Sequence, residues 1–133
     1  MQLLVNIDVA DIASAEAFYT AAFGLTVGRR FDNAFIELLG AGTPIYLLQN
    51  PPGSIGAAQS RRDYGRHWTP VHCDLVVDDL QLALDRAQAA GAVAEGEVRT
   101  RAWGRIVQLA DPFGHGWCLL QFLGRGYDEI ATP

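Results

Sequence analysis

The chain has 133 residues, half of them hydrophobic and 19% charged, with a formal net charge of −5 at pH 7. That is the length and composition of one domain with a real core, and the acidic balance lacks the basic patch that nucleic acid requires while admitting a cationic or neutral small-molecule partner. No apolar run approaches the ~18 residues of a membrane span and the N-terminus has no charged-then-apolar signal layout, so a cytoplasmic location is expected, with no membrane and no nucleic-acid partner.

In chain order, "LVNIDV" alternates as a strand does, with Val5, Ile7 and Val9 on one face and Leu4, Asn6 and Asp8 on the other. Asp11 suits an N-cap, and Ile12, Ala15, Phe18, Tyr19 and Ala22 recur at helical spacing. Gly24 suits the left-handed position that ends a helix. Three strand-like runs follow, "TVGRRF", "AFIELLG" and "PIYLLQ", separated by turn signals at Asp32-Asn33 and Gly40-Ala41-Gly42. The stretch 50–68, "NPPGSIGAAQSRRDYGRHW", has no period and reads as a connection long enough to be a functional loop or lid. "VHCDLVV" is the next strand, with Val71, Cys73, Leu75 and Val77 on the core face and His72, Asp74 and Val76 on the other. Asp79 repeats the cap, Leu80, Leu82, Ala83, Ala87 and Ala90 repeat the helical stripe, and Gly91 repeats the stop. "AEGEVRT", "GRIVQLAD" and "GWCLLQF" complete the strands, the last two joined by the tight turn Asp111 to Gly114, with His115 expected to be exposed beside it.

The second half repeats the first. Laid over one another at an offset of 68 residues, Leu4–Leu25 and His72–Val93 match Val9 with Val77, Asp11 with Asp79, Ile12 with Leu80, Ala15 with Ala83 and Ala22 with Ala90. The expected fold is therefore α+β: two βαβββ modules related by internal pseudo-symmetry, their curved mixed sheets forming a cleft with the helices outside. Module one spans 1–49, the connection 50–68, module two 69–123 and a C-terminal tail 124–133.

The mixed strand faces direct Asn6, Asp8, His72 and Asp74 at the cavity. His72 is open to three readings: metal ligation, hydrogen-bonding or acid–base contact with a ligand, or a structural polar role; histidine is the side-chain type that changes charge near neutral pH. Cys73 and Cys118 have no CxxC spacing and read as reduced, buried thiols. Trp103 either closes the core edge while Arg105 pairs with Glu37 or Asp111, or one of them sits at the cleft mouth. Tyr64, His67 and Trp68, set among Arg61, Arg62 and Arg66, either stack on a ligand or lie on the surface or in a dimer contact. No phosphate loop, Ser/His/Asp series or zinc spacing is present.

"VADIASAEAFYTAAFGL", "HCDLVVDDL" and "LADPFGHGWCLLQF" together resemble the vicinal oxygen chelate superfamily, which includes glyoxalases, extradiol dioxygenases and the fosfomycin- and bleomycin-resistance proteins; the resemblance covers about residues 2 to 123. It implies paired βαβββ modules, a homodimer, and four ligand positions in metal-dependent members: Leu4, Tyr46, His72 and Cys118 here. Those members carry His or Glu at such places. Leucine cannot bind a metal and one histidine with one thiol falls short of the set a hard ion needs. The expectation is thus a metal-independent small-molecule-binding protein with no cofactor, a divalent metal staying open, that sequesters an antibiotic or other toxic compound. Asn6, Asp8, Tyr46, His72, Asp74 and Cys118 would line its cleft and Trp68 and Trp103 would cap it. The alternative is a metal-dependent or acid–base lyase, isomerase or dioxygenase, for which His72 is the best catalytic candidate.

Overall fold

A strand, a helix and further strands follow one another twice along the chain. The computed structural model describes residues 1–133, in two units, Met1–Gly65 and Arg66–Pro133. The first unit holds β1 (Val5–Val9), α1 (Ile12–Phe23), β2 (Thr26–Asp32), β3 (Phe35–Leu39), β4 (Ile45–Gln49) and a small hairpin of β5 (Ile55–Ala57) and β6 (Ser60–Arg61). The second holds β7 (Cys73–Val76), α2 (Leu80–Ala89), β8 (Val93–Ala94), β9 (Arg99–Arg101), β10 (Gly104–Ala110), β11 (Gly116–Phe122) and a single 3-10 turn, Gly126–Glu129. No helix is long and apolar enough to cross a membrane.

Each unit builds the same mixed sheet. The strand orders are β1-β4-β3-β2 and β7-β11-β10-β8, with β9 also on β10. The first and last strands pair in parallel, β1 with β4 and β7 with β11, and the other pairings are antiparallel. The repeat reaches the register: Asn6 lies opposite Tyr46, and Asp74, its match in the second half, lies opposite Cys118. This is an α+β fold with open sheets.

The helix ends follow from local chemistry. The carboxylates of Asp11 and Asp79 accept from Ser14 N and Leu82 N at 2.7 and 3.0 Å, satisfying donors that the first turn leaves free. A second pair of bonds obeys the same symmetry. Gln49 at the end of β4 accepts from Ile12 N at 2.9 Å, and Gln121 near the end of β11 accepts from Leu80 N at 3.1 Å. Each last strand therefore holds the start of its own unit's helix. Gly24 ends α1 at φ 67°, a left-handed conformation that glycine adopts without steric cost; α2 ends on Ala90, with Gly91 following at φ 113°.

Each helix covers one face of its sheet. In the first unit Ala15, Phe18, Tyr19 and Ala22 of α1 bury with Ile7, Val9, Ile36, Leu38, Ile45 and Leu47 of the sheet. In the second, Leu80, Ala83, Leu84 and Ala87 bury with Val107, Leu109, Trp117 and Leu119.

Four expectations change. Leu82 is 67% exposed and Leu84 takes its place in the core, because residues 80, 83, 84 and 87 share one helix face while a residue two past Leu80 points away from it. Val71 is 82% exposed; pairing with β11 begins only at Cys73, so alternation has no sheet to act on there. "AEGEVRT" is two short strands, split where Gly96 turns at φ 148°. The 50–68 connection carries the β5–β6 hairpin, locked by Gly53 N to Arg62 O and Arg62 N to Ser54 O, both 2.8 Å.

Candidate functional site

Period-two alternation leaves one face of each sheet free of its helix, and these open faces carry the polar residues. In the first unit, Asp8 of β1 is held from both sides: Asn50 Nδ2 donates to Oδ1 at 2.8 Å and Arg62 Nε to Oδ2 at 2.6 Å. The Tyr64 hydroxyl donates to Asn50 O at 2.9 Å, and burial beside the Asp8 charge raises its pKa. The β5–β6 segment is thereby tied to the end of β1. Asn6 is exposed on the same face.

Tyr46 belongs to a network that alternation alone does not reveal. Its hydroxyl donates to Glu37 Oε1 at 2.9 Å and accepts from Arg29 Nη2 at 3.1 Å. Arg29 binds Glu37 with Nε, Nη2 and its backbone N–H, the shortest contact being 2.5 Å. Glu37 is buried, and the Arg29 guanidinium holds its carboxyl down at about 2 against the opposing effect of burial. Gly28 makes room for this: a Cβ there would meet Glu37 Oε2 at 2.6 Å.

In the second unit the open face gathers a different set. His72 Nε2 stands 3.3 Å from Asp74 Oδ1, and His72, Asp74 and Cys118 each bring one ligand atom within 4.8 Å of the others. Burial, then the Asp74 charge, pushes the Cys118 thiol up to about 11. The Trp68 ring lies 5.8 Å from the His72 ring. A polar hollow lined by Glu95, Gly96, Glu97, Arg99 and Gln108 adjoins this cluster. Gln108 lies opposite Cys118, and Arg99 and Glu95 act on its thiol with opposite sign. Arg66 grips Glu95 with two bonds of 2.7 Å.

The eight anticipated residues thus fall into groups. Asn6, Asp8 and Tyr46 share the open face of the first unit; His72, Asp74, Cys118 and Trp68 come together in the second. Trp103 sits at the β9–β10 turn with its ring 5.1 Å from Tyr127 of the C-terminal turn. Glu37 is bound by Arg29 and not by Arg105. Asp111 is buried and serves its own turn: it accepts from Phe113 N, His115 N and Trp117 Nε1 at 2.8 to 3.0 Å. His115 Nδ1 lies 3.1 Å from Asp111 Oδ2, so its ring is drawn to the turn and only partly exposed. Arg29, Phe31 and Phe35 were not anticipated, and Glu37 was anticipated only as a partner of Arg105; a lone Glu in the apolar run "FIELL" is the one signal that pointed there.

A metal implied by the superfamily resemblance can be tested against these donors. Leu4 offers no donor atom, and the Tyr46 hydroxyl is committed to Glu37 and Arg29. The remaining set, one imidazole, one carboxylate and one thiol, does not suit a hard six-coordinate ion; its N/O/S character matches zinc-type chemistry better.

Comparison with known proteins agrees with this architecture. The glyoxalase-like domain family model matches residues 4–120. An uncharacterized protein of Mycobacterium tuberculosis (strain ATCC 25618 / H37Rv) is 34% identical over 119 residues, covering 85% of this chain and 69% of that protein. A counterpart in Mycobacterium bovis, also 34% identical, is covered over 78% of its length. Among solved structures, the fosfomycin resistance protein FosX from Listeria monocytogenes superposes with a TM-score of 0.73 at 18% identity, covering 98% of each chain. TioX from Micromonospora sp. ML1 gives a TM-score of 0.72 at 19% identity, covering 92% of this chain and 99% of its own. At these identities the structural matches speak for the fold alone. By fold, repeat and family match, the chain belongs to the glyoxalase-like domain family of the vicinal oxygen chelate superfamily.

Proposed function

We propose that the protein binds a small molecule on the polar open faces of its sheets without a metal, sequestering an antibiotic or other toxic compound. The observation that carries this reading is Tyr46, which occupies a metal-ligand position and spends its hydroxyl on Glu37 and Arg29. With Leu4 at the neighbouring position, the first unit supplies no free metal donor from either place. A binder needs only apolar surface and a few placed polar groups, and both faces offer these. The formal charge of −5 suits a cationic or neutral ligand. In this reading the protein works as a cytoplasmic homodimer.

The second reading, a lyase, isomerase or dioxygenase using a metal or acid–base chemistry, is supported by one feature, the His72–Asp74–Cys118 cluster. One experiment separates the two. Protein purified without a His-tag is stripped with chelator, and a set of aromatic and cationic compounds is screened by thermal shift with and without added zinc, nickel, manganese or iron(II). The binding reading expects ligands whose affinity is unchanged by chelator, and His72→Ala should weaken the binding of those that touch the second unit while moving the melting temperature by only a few degrees. One tightly held ion per chain, lost in Cys118→Ser, together with binding that appears only in its presence, would replace it with the enzyme reading.

A further inference from the structure

The open face of the first unit carries an aromatic patch beside the Arg29–Glu37 pair. Phe31 on β2 and Phe35 on β3 stack with centroids 4.3 Å apart and planes 23° from parallel. The Tyr46 ring closes the group at 6.2 Å from Phe31 and 5.5 Å from Phe35. The guanidinium carbon of Arg29 stands 5.3 Å from the Phe31 ring centre. Phe31 is 48% exposed, so one edge of the stacked pair is open to solvent.

The polar half of the patch is fixed. The Glu37 side chain is 6% exposed while that of Arg29 is 66% exposed, so the carboxylate works from below and the guanidinium faces outward. Nε and Nη2 of Arg29 are the atoms that bind Glu37 and Tyr46; Nη1 takes no part in those bonds. A guanidinium that is pinned in place with one nitrogen left over presents a directed, charge-assisted donor at little entropic cost. A purely structural ion pair would need neither the exposed ring nor the second stacked one.

We infer that this patch is the recognition surface for a planar aromatic carboxylate, whose ring joins the Phe31–Phe35 group and whose carboxylate is taken by Arg29 Nη1. The inference rests on the small-molecule-binding reading and narrows it: the net charge of −5 favours a cationic or neutral ligand over the surface at large, and the outward-facing Arg29 guanidinium is the local exception that admits a carboxylate. Charge complementarity selects the occupant: the pair Arg29–Glu37 is neutral as a whole, but its solvent-facing edge is cationic, and it lies within reach of the ring of Phe31.

The test uses 2-naphthoate as probe, with 2-naphthylmethanol and cyclohexanecarboxylate as controls that lack the charge and the aromatic ring. Binding is followed by NMR on labelled protein. The expected result is saturable naphthoate binding that shifts the ring signals of Phe31 and Phe35 and the side-chain Nε–H of Arg29, with each control weaker by about tenfold or more. Phe31→Ala should weaken naphthoate by about tenfold, and Phe31→Trp should restore it; the Phe31 position is exposed enough to leave the fold intact, which the unshifted remainder of the spectrum verifies. The inference falls if naphthoate does not bind, if Phe31→Ala leaves its affinity unchanged, or if Phe31→Ala instead turns a dimer into a monomer, which would make the patch a contact between copies. A screening hit that shifts His72 or Cys118 while naphthoate fails would overturn this inference and leave the binding function standing. No hit of any class would remove both.

Discussion

Tyr46 and Cys118 occupy the same place in the two units, each opposite a polar residue of the parallel first strand and each next to a polar residue of the antiparallel neighbour: Asn6 and Glu37 for the tyrosine, Asp74 and Gln108 for the thiol. Their surroundings give them opposite chemistry. A guanidinium joins the tyrosine, so the carboxylate beside it stays ionised down to about 2. The thiol has burial and the Asp74 carboxylate to contend with, and both favour its protonated form. A rise from 9.0 to about 11 lowers the thiolate fraction at neutral pH by about a hundredfold, and thiolate is the reactive species. In native protein at pH 7.5, Cys118 should therefore be alkylated by iodoacetamide about a hundred times more slowly than in denatured protein, with the rate climbing as pH rises towards 11. Mass-spectrometric peptide mapping over a pH series reads this directly. Equal rates in the native and denatured chains would overturn the suppression of the Cys118 thiolate. Alternation made Asn6, Asp8, His72 and Asp74 legible in the sequence, since the open face of a strand is fixed by its period; Tyr46 and Cys118 were legible only through the resemblance to the superfamily. Arg29 was not legible: β2 shifts register against β3 between Val27 and Arg30 and again before Asp32, and a single sequence does not show which residue across a hairpin a side chain will meet.

At the scale of elements, the helices were the most readable part because cap, stripe and stop agree. Asp11 and Asp79 act as the caps they were expected to be. What was hidden is the tie between last strand and helix. "YLLQ" and "CLLQ" end β4 and the body of β11, and in each the glutamine reaches the first backbone N–H of the helix. A sequence repeat shows that the motif recurs; only the parallel placement of first and last strands gives it a partner some 40 residues away. Leu80 is fully buried, so removing its partner leaves a donor in an apolar setting. Gln121→Ala should destabilise the protein by about 1–2 kcal/mol, a fall in melting temperature of about 3–8 °C, whereas Gln81→Ala on the exposed side of the same helix should change it by less than about 0.5 kcal/mol. Calorimetric or circular-dichroism melts of the two variants decide the matter. Equal effects would mean that the Gln121 bond contributes nothing specific.

For the whole molecule, the accounting concerns surface. Large apolar side chains lie outside the cores: Leu3, Leu4, Val71, Val76, Phe122 and Leu123 are all exposed, on a chain whose total accessible area is 8018 Å². Scattered apolar exposure is ordinary, but this set lies mainly next to or within the first strands β1 and β7 and at the end of β11, which are the edges and termini of the sheets. Unpaired edges with apolar flanks invite association unless they are covered. A standard interface removes about 800 Å² per partner, close to a tenth of this chain's surface, and apolar area is worth about 25 cal/mol per Å². Only the surplus over the cost of association shows as affinity, so pairing requires that these apolar edges form most of the contact. Sedimentation equilibrium at micromolar concentration should therefore give a species of twice 14.4 kDa. Because the contact is apolar, its dissociation should change little between about 0.1 and 1 M salt, where surface ion pairs would be screened away. Replacing Val76 and Phe122 with aspartate should shift the protein to monomer while leaving the far-ultraviolet spectrum unchanged. A wild-type monomer at micromolar concentration, or a dimer that dissolves in salt, would contradict an apolar interface.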